Sequence, residues 1–206
     1  MNNQYYILEN EIQSGPFTFD ELVEKDIDIH TKVLTPTNEW QYASELPEFY
    51  EYFESKGVYF PTQDNLATAG WRILAFFIDY ILLVILIEVA AVESGMLVLP
   101  TVTSGRFVMP PSNTVMMIQA VFYVTYLIYN TLFELTGWQG SIGKKICGLR
   151  VVDANGQKIG FIRSAGRNLG SILSLVLLVP YLSMLFSEYK QQWYDNLANA
   201  YIIKTN

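Results

Sequence analysis

WRILAFFIDYILLVILIEVAAV, residues 71–92, is the stretch on which the reading of this chain turns. About 20 consecutive apolar residues in a helix cross a hydrocarbon core of about 30 Å. This run has that length, with Arg72, Asp79 and Glu88 as its charged residues. Two further runs follow, at 113–136 and at 168–187, the last interrupted by Pro180. Three such runs cannot all be core helices of one small soluble domain. Composition agrees: of 206 residues 51% are hydrophobic and 16% charged, against about 25% charged in ordinary soluble domains.

Ahead of this run the character changes. Residues 1–65 carry thirteen Asp or Glu against Lys25, Lys32 and Lys56, a net charge of −10, whereas residues 66–206 carry seven acids against ten bases, a net of +3. We therefore read a small α+β domain over 1–56, a linker over 57–69 and an α-helical membrane domain over 70–206. In the first, Tyr5-Tyr6-Ile7-Leu8 reads as a strand. Asn10-Glu11 turns it toward a second, and Ser14-Gly15-Pro16 breaks the pattern. Thr18 and Glu21 form a capping box for a helix over 19–25. Lys32–Thr35 is a further strand, Pro36-Thr37-Asn38 a turn, and Pro47 opens a last helix with Phe49, Tyr52 and Phe53 on its apolar face. In the linker, Val58-Tyr59-Phe60 suits a membrane interface.

The opening residues, MNNQYYILENEIQ, have neither a basic start nor an apolar run, so residues 1–65 are expected to stay where they are made. Between the second and third runs lie Lys144, Lys145, Arg150, Lys158, Arg163 and Arg167 against the single acid Asp153. The excess of positive charge assigns that stretch to the cytoplasm. It places the 93–112 loop outside and the N-terminal domain inside, so the expectation is a multi-pass protein of the inner (cytoplasmic) membrane. Asn155-Gly156 between Leu149–Asp153 and Lys158–Phe161 signals a cytoplasmic β-hairpin. The third run either spans the bilayer or re-enters and turns at Pro180.

Charge inside the spans carries the functional reading. Asp79 lies seven residues beyond Arg72 on the same helix face, roughly 10 Å along the axis at 1.5 Å per residue. Arg72 reaches the headgroups by snorkelling, so Asp79 needs another partner; an unpaired ionised carboxylate at depth costs about 3 kcal/mol on insertion scales. It is either a residue of an ion or proton pathway or a structural clamp. Gln119, Tyr123, Tyr126, Asn130 and Glu134 form a polar stripe along the second helix. Such a stripe lines a wet path or joins helices by hydrogen bonds.

Other candidates fall away. Gly140-Ser141-Ile142-Gly143-Lys144-Lys145 lacks the first glycine and the hydroxyl residue of a phosphate-binding loop. Its glycines allow a tight exit from the second helix, and its lysines suit anionic headgroups. His30 reads as a surface residue and Cys147 as an inert one. With one histidine and one cysteine, and no nucleophile–base pair, neither an enzyme, a metal site nor a cofactor is expected. The acidic N-terminal part would repel nucleic acid.

Three blocks resemble the RDD family of membrane proteins. They are Gly70–Asp79, then Gly140–Lys145 with Gly148–Asp153, then Trp193–Ala198. The family's arginine and two aspartates match Arg72, Asp79 and Asp195, the resemblance covering about 66–204. Tyr194 stands where the family often has a histidine, and Ala198-Asn199-Ala200 replaces its usual Ala-Gly-Thr ending. The resemblance implies a transport role, with some members linked to cation/proton exchange, and pairing of Asp195 with Arg72 would return the C-terminal segment to the cytoplasmic side. Residues 4–50 resemble the GYF-like domain through Tyr5-Tyr6, Gly15-Pro16-Phe17, Leu22, Val33, Trp40, Ala43 and Leu46, without the Gly-Tyr-Phe tripeptide. This implies a cytoplasmic protein or peptide partner, with Phe17 and Trp40 as binding aromatics or as core. Two functions stay open: a small transporter of ions or solutes, which with two or three spans requires a homo-oligomer, and a membrane scaffold recruiting a cytoplasmic partner.

Overall fold

The computed structural model describes residues 4–9, 11–35, 38–96, 101–103, 106–108, 111–175, 187 and 189–205. The chain forms two compact units, one over 1–60 with 154–157 and one over 61–153 with 158–206.

In the first unit, strands β1 (Tyr5–Glu9), β2 (Ile12–Phe17), β3 (Lys32–Leu34) and β4 (Trp40–Tyr42) form an antiparallel sheet in the order β2-β1-β3-β4. Helix α1 (Phe19–Glu24) starts at the expected capping box, Thr18 with Glu21. Helix α2 (Tyr50–Ser55) follows a short helical turn opened by Pro47. Apolar side chains from β1, β2, β3, α1 and α2 pack in one core with Phe49, which is fully buried among the rings of Tyr5, Phe19 and Phe53. Two expectations are corrected here. Ser14-Gly15-Pro16 does not break the strand but lies inside β2, where the register shifts between the Tyr5 and Ile7 pairings. An edge strand accepts proline because its missing N–H faces no neighbour. Phe60 is not an interfacial residue: it is buried in this core against Tyr50 and Phe53. The expected turns at Asn10 and at Pro36-Thr37 lie outside the described residues.

The second unit is built on helices α3 (Ala69–Glu93) and α4 (Ser112–Leu135), with a short ribbon of β5 (Thr101–Thr103) and β6 (Arg106–Val108) in the stretch between them. Both helices are long and apolar enough to cross a membrane. After α4 come α5 (Ile142–Ile146), β7 (Leu149–Val152), α6 (Phe161–Leu175), α7 (Trp193–Leu197) and β8 (Tyr201–Lys204). Residues 176–186 of the third apolar run, Pro180 included, lie outside the described residues.

Strand β7 corrects the hairpin reading. Its partner is β8, with Val152 opposite Tyr201 and Leu149 opposite Lys204, and residues 158–160 are irregular. Asn155-Gly156 does turn the chain, with Gly156 at φ +72°. The strand after that turn would need Gly160, a weak strand residue. Tyr201-Ile202-Ile203 instead offers a β-branched run whose two isoleucines are buried.

The helices of this unit turn most of their buried polar groups toward each other and large apolar side chains outward, with Glu88 and Gln119 exposed as well. Helix α3 buries Arg72, Ala75, Asp79, Leu83, Ile87 and Ala91 at spacings of three and four and exposes Phe77, Ile81, Ile85 and Val89. Helix α4 buries Tyr126, Asn130, Thr131 and Glu134 and exposes Val124, Ile128 and Leu132. Helix α6 does the same, burying Ser164, Arg167, Asn168 and Ser174 while Phe161, Ile162, Leu169 and Leu173 lie exposed. Water-facing helices show the reverse. This pattern suits a hydrocarbon surround, where polar groups turn to one another.

Candidate functional site

The inward faces converge on a cluster of buried charge. Helix α3 supplies Arg72 and Asp79, α4 Glu134, α5 Lys144, α6 Arg167 and α7 Asp195, three cations and three acids. Arg72, Asp79, Glu134, Arg167 and Asp195 are each at most 7% exposed. Charges at such burial persist only when paired and hydrogen-bonded, and the cluster meets this in two parts.

The first part is a chain of ion pairs. Asp195 bridges two guanidinium groups, accepting from Arg72 Nη1 at 2.9 Å on one oxygen and from Arg167 Nη1 at 2.9 Å on the other. Arg167 also pairs with Glu134. Glu134 accepts from Lys144 Nζ at 2.7 Å, from Ser164 at 2.7 Å and from the Asn168 amide at 3.0 Å. Arg72 further donates through Nε to the Ala67 carbonyl at 3.2 Å. Asp195 is held in place by its second duty, closing a capping box with Gln192 at the start of α7.

The second part surrounds Asp79, and here every donor is neutral. Its carboxylate accepts from the Tyr129 hydroxyl at 2.8 Å, the Ser141 hydroxyl at 2.5 Å and the Gly143 backbone N–H at 2.7 Å. Tyr129 and Ser141 in turn accept from the N–H groups of Ile142 and Lys144. Gly143 is required by space: a Cβ there would stand 2.2 Å from the Ala75 carbonyl oxygen and 2.8 Å from Asp79 Cγ. The Gly140–Lys145 motif thus brings the first turn of α5 onto an acid of α3.

A cavity of about 60 Å³ opens beside these groups, walled among others by Arg72, Asp79, Asn130, Lys144, Arg167 and Tyr194. Among the described residues no group of His, Cys, Asp and Glu side chains is arranged to hold a metal ion.

Several site residues read from sequence change partners or place. Arg72 does not snorkel to the headgroups: it is buried and pairs with Asp195, the pairing the family resemblance implies, and not with Asp79. Lys144 does not reach for headgroups: its ammonium bonds Glu134, and the half-buried stem runs along the cluster. Lys145 is the exposed one. The polar stripe of α4 divides, with Tyr126, Asn130 and Glu134 in the cluster and Gln119 and Tyr123 exposed. Arg167, Asn168, Ser164 and Tyr129 were missed as site residues. The signal for the first three was present: Ser164, Arg167 and Asn168 recur at spacings of three and one on a helix whose other face is apolar. In the first unit, Phe17 is half-buried on the core beneath Lys25, whose Nζ is 4.8 Å from the ring centre, while Trp40 is 42% exposed on edge strand β4.

Comparison with known proteins covers the same part of the chain. Residues 66–199 match the model of the RDD family. A protein of Bacillus subtilis (strain 168), named "Uncharacterized protein YxaI", is 28% identical over 129 residues, 58% of this chain and 85% of its own length. No solved structure matches the chain. The family match begins after residues 4–50, so their likeness to GYF-like domains stays a resemblance in sequence. With Arg72, Asp79 and Asp195 all in the buried cluster and all inside the matched span, the chain belongs to the RDD family.

Proposed function

We propose that this chain is a multi-pass protein of the inner (cytoplasmic) membrane that moves ions or small solutes past its buried charge cluster. One observation carries the proposal: a polar cavity with three cations and a carboxylate in its wall lies between helices whose outer faces are apolar. Ionisable groups held at such depth mark solute and proton pathways. Asp79 is the working acid in this reading. Glu134 and Asp195 are each committed to two cations, whereas Asp79 faces donors that are neutral. The hydroxyls of Tyr129 and Ser141 can rotate, freeing its oxygens for a proton or a small cation. Residues 1–56 and the basic 144–167 stretch face the cytoplasm by the distribution of positive charge. The Arg72–Asp195 pair then favours a third segment that re-enters and returns to that side. Two full spans are few for a pathway, so the working form is a homo-oligomer, and the reading requires no catalysis, cofactor or nucleic acid. Purified protein in proteoliposomes tests it. Under an imposed pH gradient, external Na⁺, K⁺ or Li⁺ should provoke proton movement absent from empty vesicles. No flux of cation, proton or chloride would remove the transport reading.

The second reading, a membrane scaffold, is favoured by the three donors on Asp79, which also suit a permanent clamp between α3 and α5, and by the exposed Trp40 and Tyr42 on edge strand β4. It predicts that the full chain in nanodiscs binds proline-rich peptide, with binding lost on Trp40→Ala at unchanged thermal unfolding. Equal binding by the variant would count against it.

A further inference from the structure

We propose that the cavity beside Arg72 and Arg167 is a binding site for a monovalent anion of halide size. The proposal rests on the transport reading for its use, but not for the site itself.

Hydrogen-bond accounting points to an acceptor. Arg72 Nη2 and Arg167 Nε are buried and have no acceptor among the described residues, although both side chains are more than nine-tenths buried. A buried donor left unpaired costs about 1–3 kcal/mol, more when charged. Native structures meet such donors with a protein group, a water or an ion. The nearby acceptors are engaged: each oxygen of Asp195 takes a guanidinium, Glu134 takes Lys144, Arg167, Ser164 and Asn168, and Asp79 takes three donors. Two buried guanidinium donors of the cavity wall are therefore left without an acceptor of their own.

Electrostatics points the same way. Arg72, Lys144 and Arg167 stand in the cavity wall with the single acid Asp79, while Glu134 and Asp195 are not part of that wall. The Asp79 oxygens are taken up by α4 and α5. A solute in the cavity thus meets cations first, and at low dielectric that preference is strong. Size narrows the class. About 60 Å³ accommodates a halide with about one water, whose share of liquid volume is about 30 Å³.

The test uses the full chain. Crystals grown or soaked in sodium bromide should show an anomalous peak in contact with Arg72 Nη2 and Arg167 Nε. In detergent at fixed ionic strength, bromide or chloride should raise Tm by a few degrees over gluconate, saturably, as a ligand of the folded state does. Arg167→Lys keeps the cation but removes Nε, and should lose the halide-specific rise. If that variant does not fold, the wild-type diffraction decides alone. Ordinary water density in the cavity, with equal Tm in bromide and gluconate, would overturn the proposal. The two readings separate: bromide bound without any flux keeps the site and removes transport, and cation-coupled flux without bromide binding keeps transport and removes the site.

Discussion

At the scale of single residues, the cluster assigns unequal duties to its three acids. Asp195 neutralises two buried guanidinium groups. Its removal leaves both short of a partner, and breaking a buried pair this way costs about 3–5 kcal/mol. Asp195→Asn should therefore lower Tm in detergent by roughly 10 °C, at about 2–4 °C per kcal/mol for a chain this size. Asp79→Asn replaces an acid held by neutral donors and should cost clearly less. Equal losses would mean that Asp79 also balances a cation. Gly143→Ala drives a methyl into the Ala75 carbonyl. Overpacking of this kind costs about 1–3 kcal/mol, whereas Gly137→Ala, with nothing within 4 Å, should leave Tm unchanged. Legibility at this scale followed the kind of signal. Asp79 stood out because an acid in an apolar run is costly. Arg72 and Asp195 came together through family resemblance, since 123 residues separate them and no spacing rule reaches so far. Lys144 was misread because a lysine after a span suits headgroups equally well, and only the fold brings Glu134 within its reach.

At the scale of elements, α6 is the informative one. Its buried polar face and exposed Phe161, Ile162, Leu169 and Leu173 predict that nitroxide labels at Leu169 and Leu173, in a Cys147→Ser background, are relaxed by oxygen dissolved in lipid. They should be shielded from an aqueous nickel reagent, while a label at Ile12 should show the reverse. Aqueous access at Leu169 would place α6 in water and undo the inside-out reading. The turn after α5 offers a second check. Burial, and then the charge of Asp79, push the Cys147 thiol up. Its maleimide reaction at neutral pH should be at least about tenfold slower than in unfolded chain, because the thiolate is the reacting form. A rate equal to that of the unfolded chain would contradict the packing around α5. Helices α3 and α4 were legible because length and hydropathy alone define a candidate span. The hairpin was not, because Asn-Gly marks a turn without naming the partner strand, and Ile202-Ile203 outcompete a segment containing Gly160.

At the scale of the whole molecule, the change of charge and hydropathy near residue 65 was plain in the composition. The inward turn of Arg72, Asp79, Glu134, Lys144, Arg167 and Asp195 was not, since it needs five helices to be assembled at once. That assembly is costly to keep unless the charges are used, and its use for moving a solute is the central claim. Flux in proteoliposomes from equal amounts of folded wild type and Asp79→Asn, with folding matched by Tm and elution profile, tests it most directly. Wild type should show gradient-driven ion movement, and the variant at least a tenfold loss, about 1.4 kcal/mol in the barrier. Undiminished flux in Asp79→Asn would contradict it and leave the carboxylate as a rivet between α3 and α5.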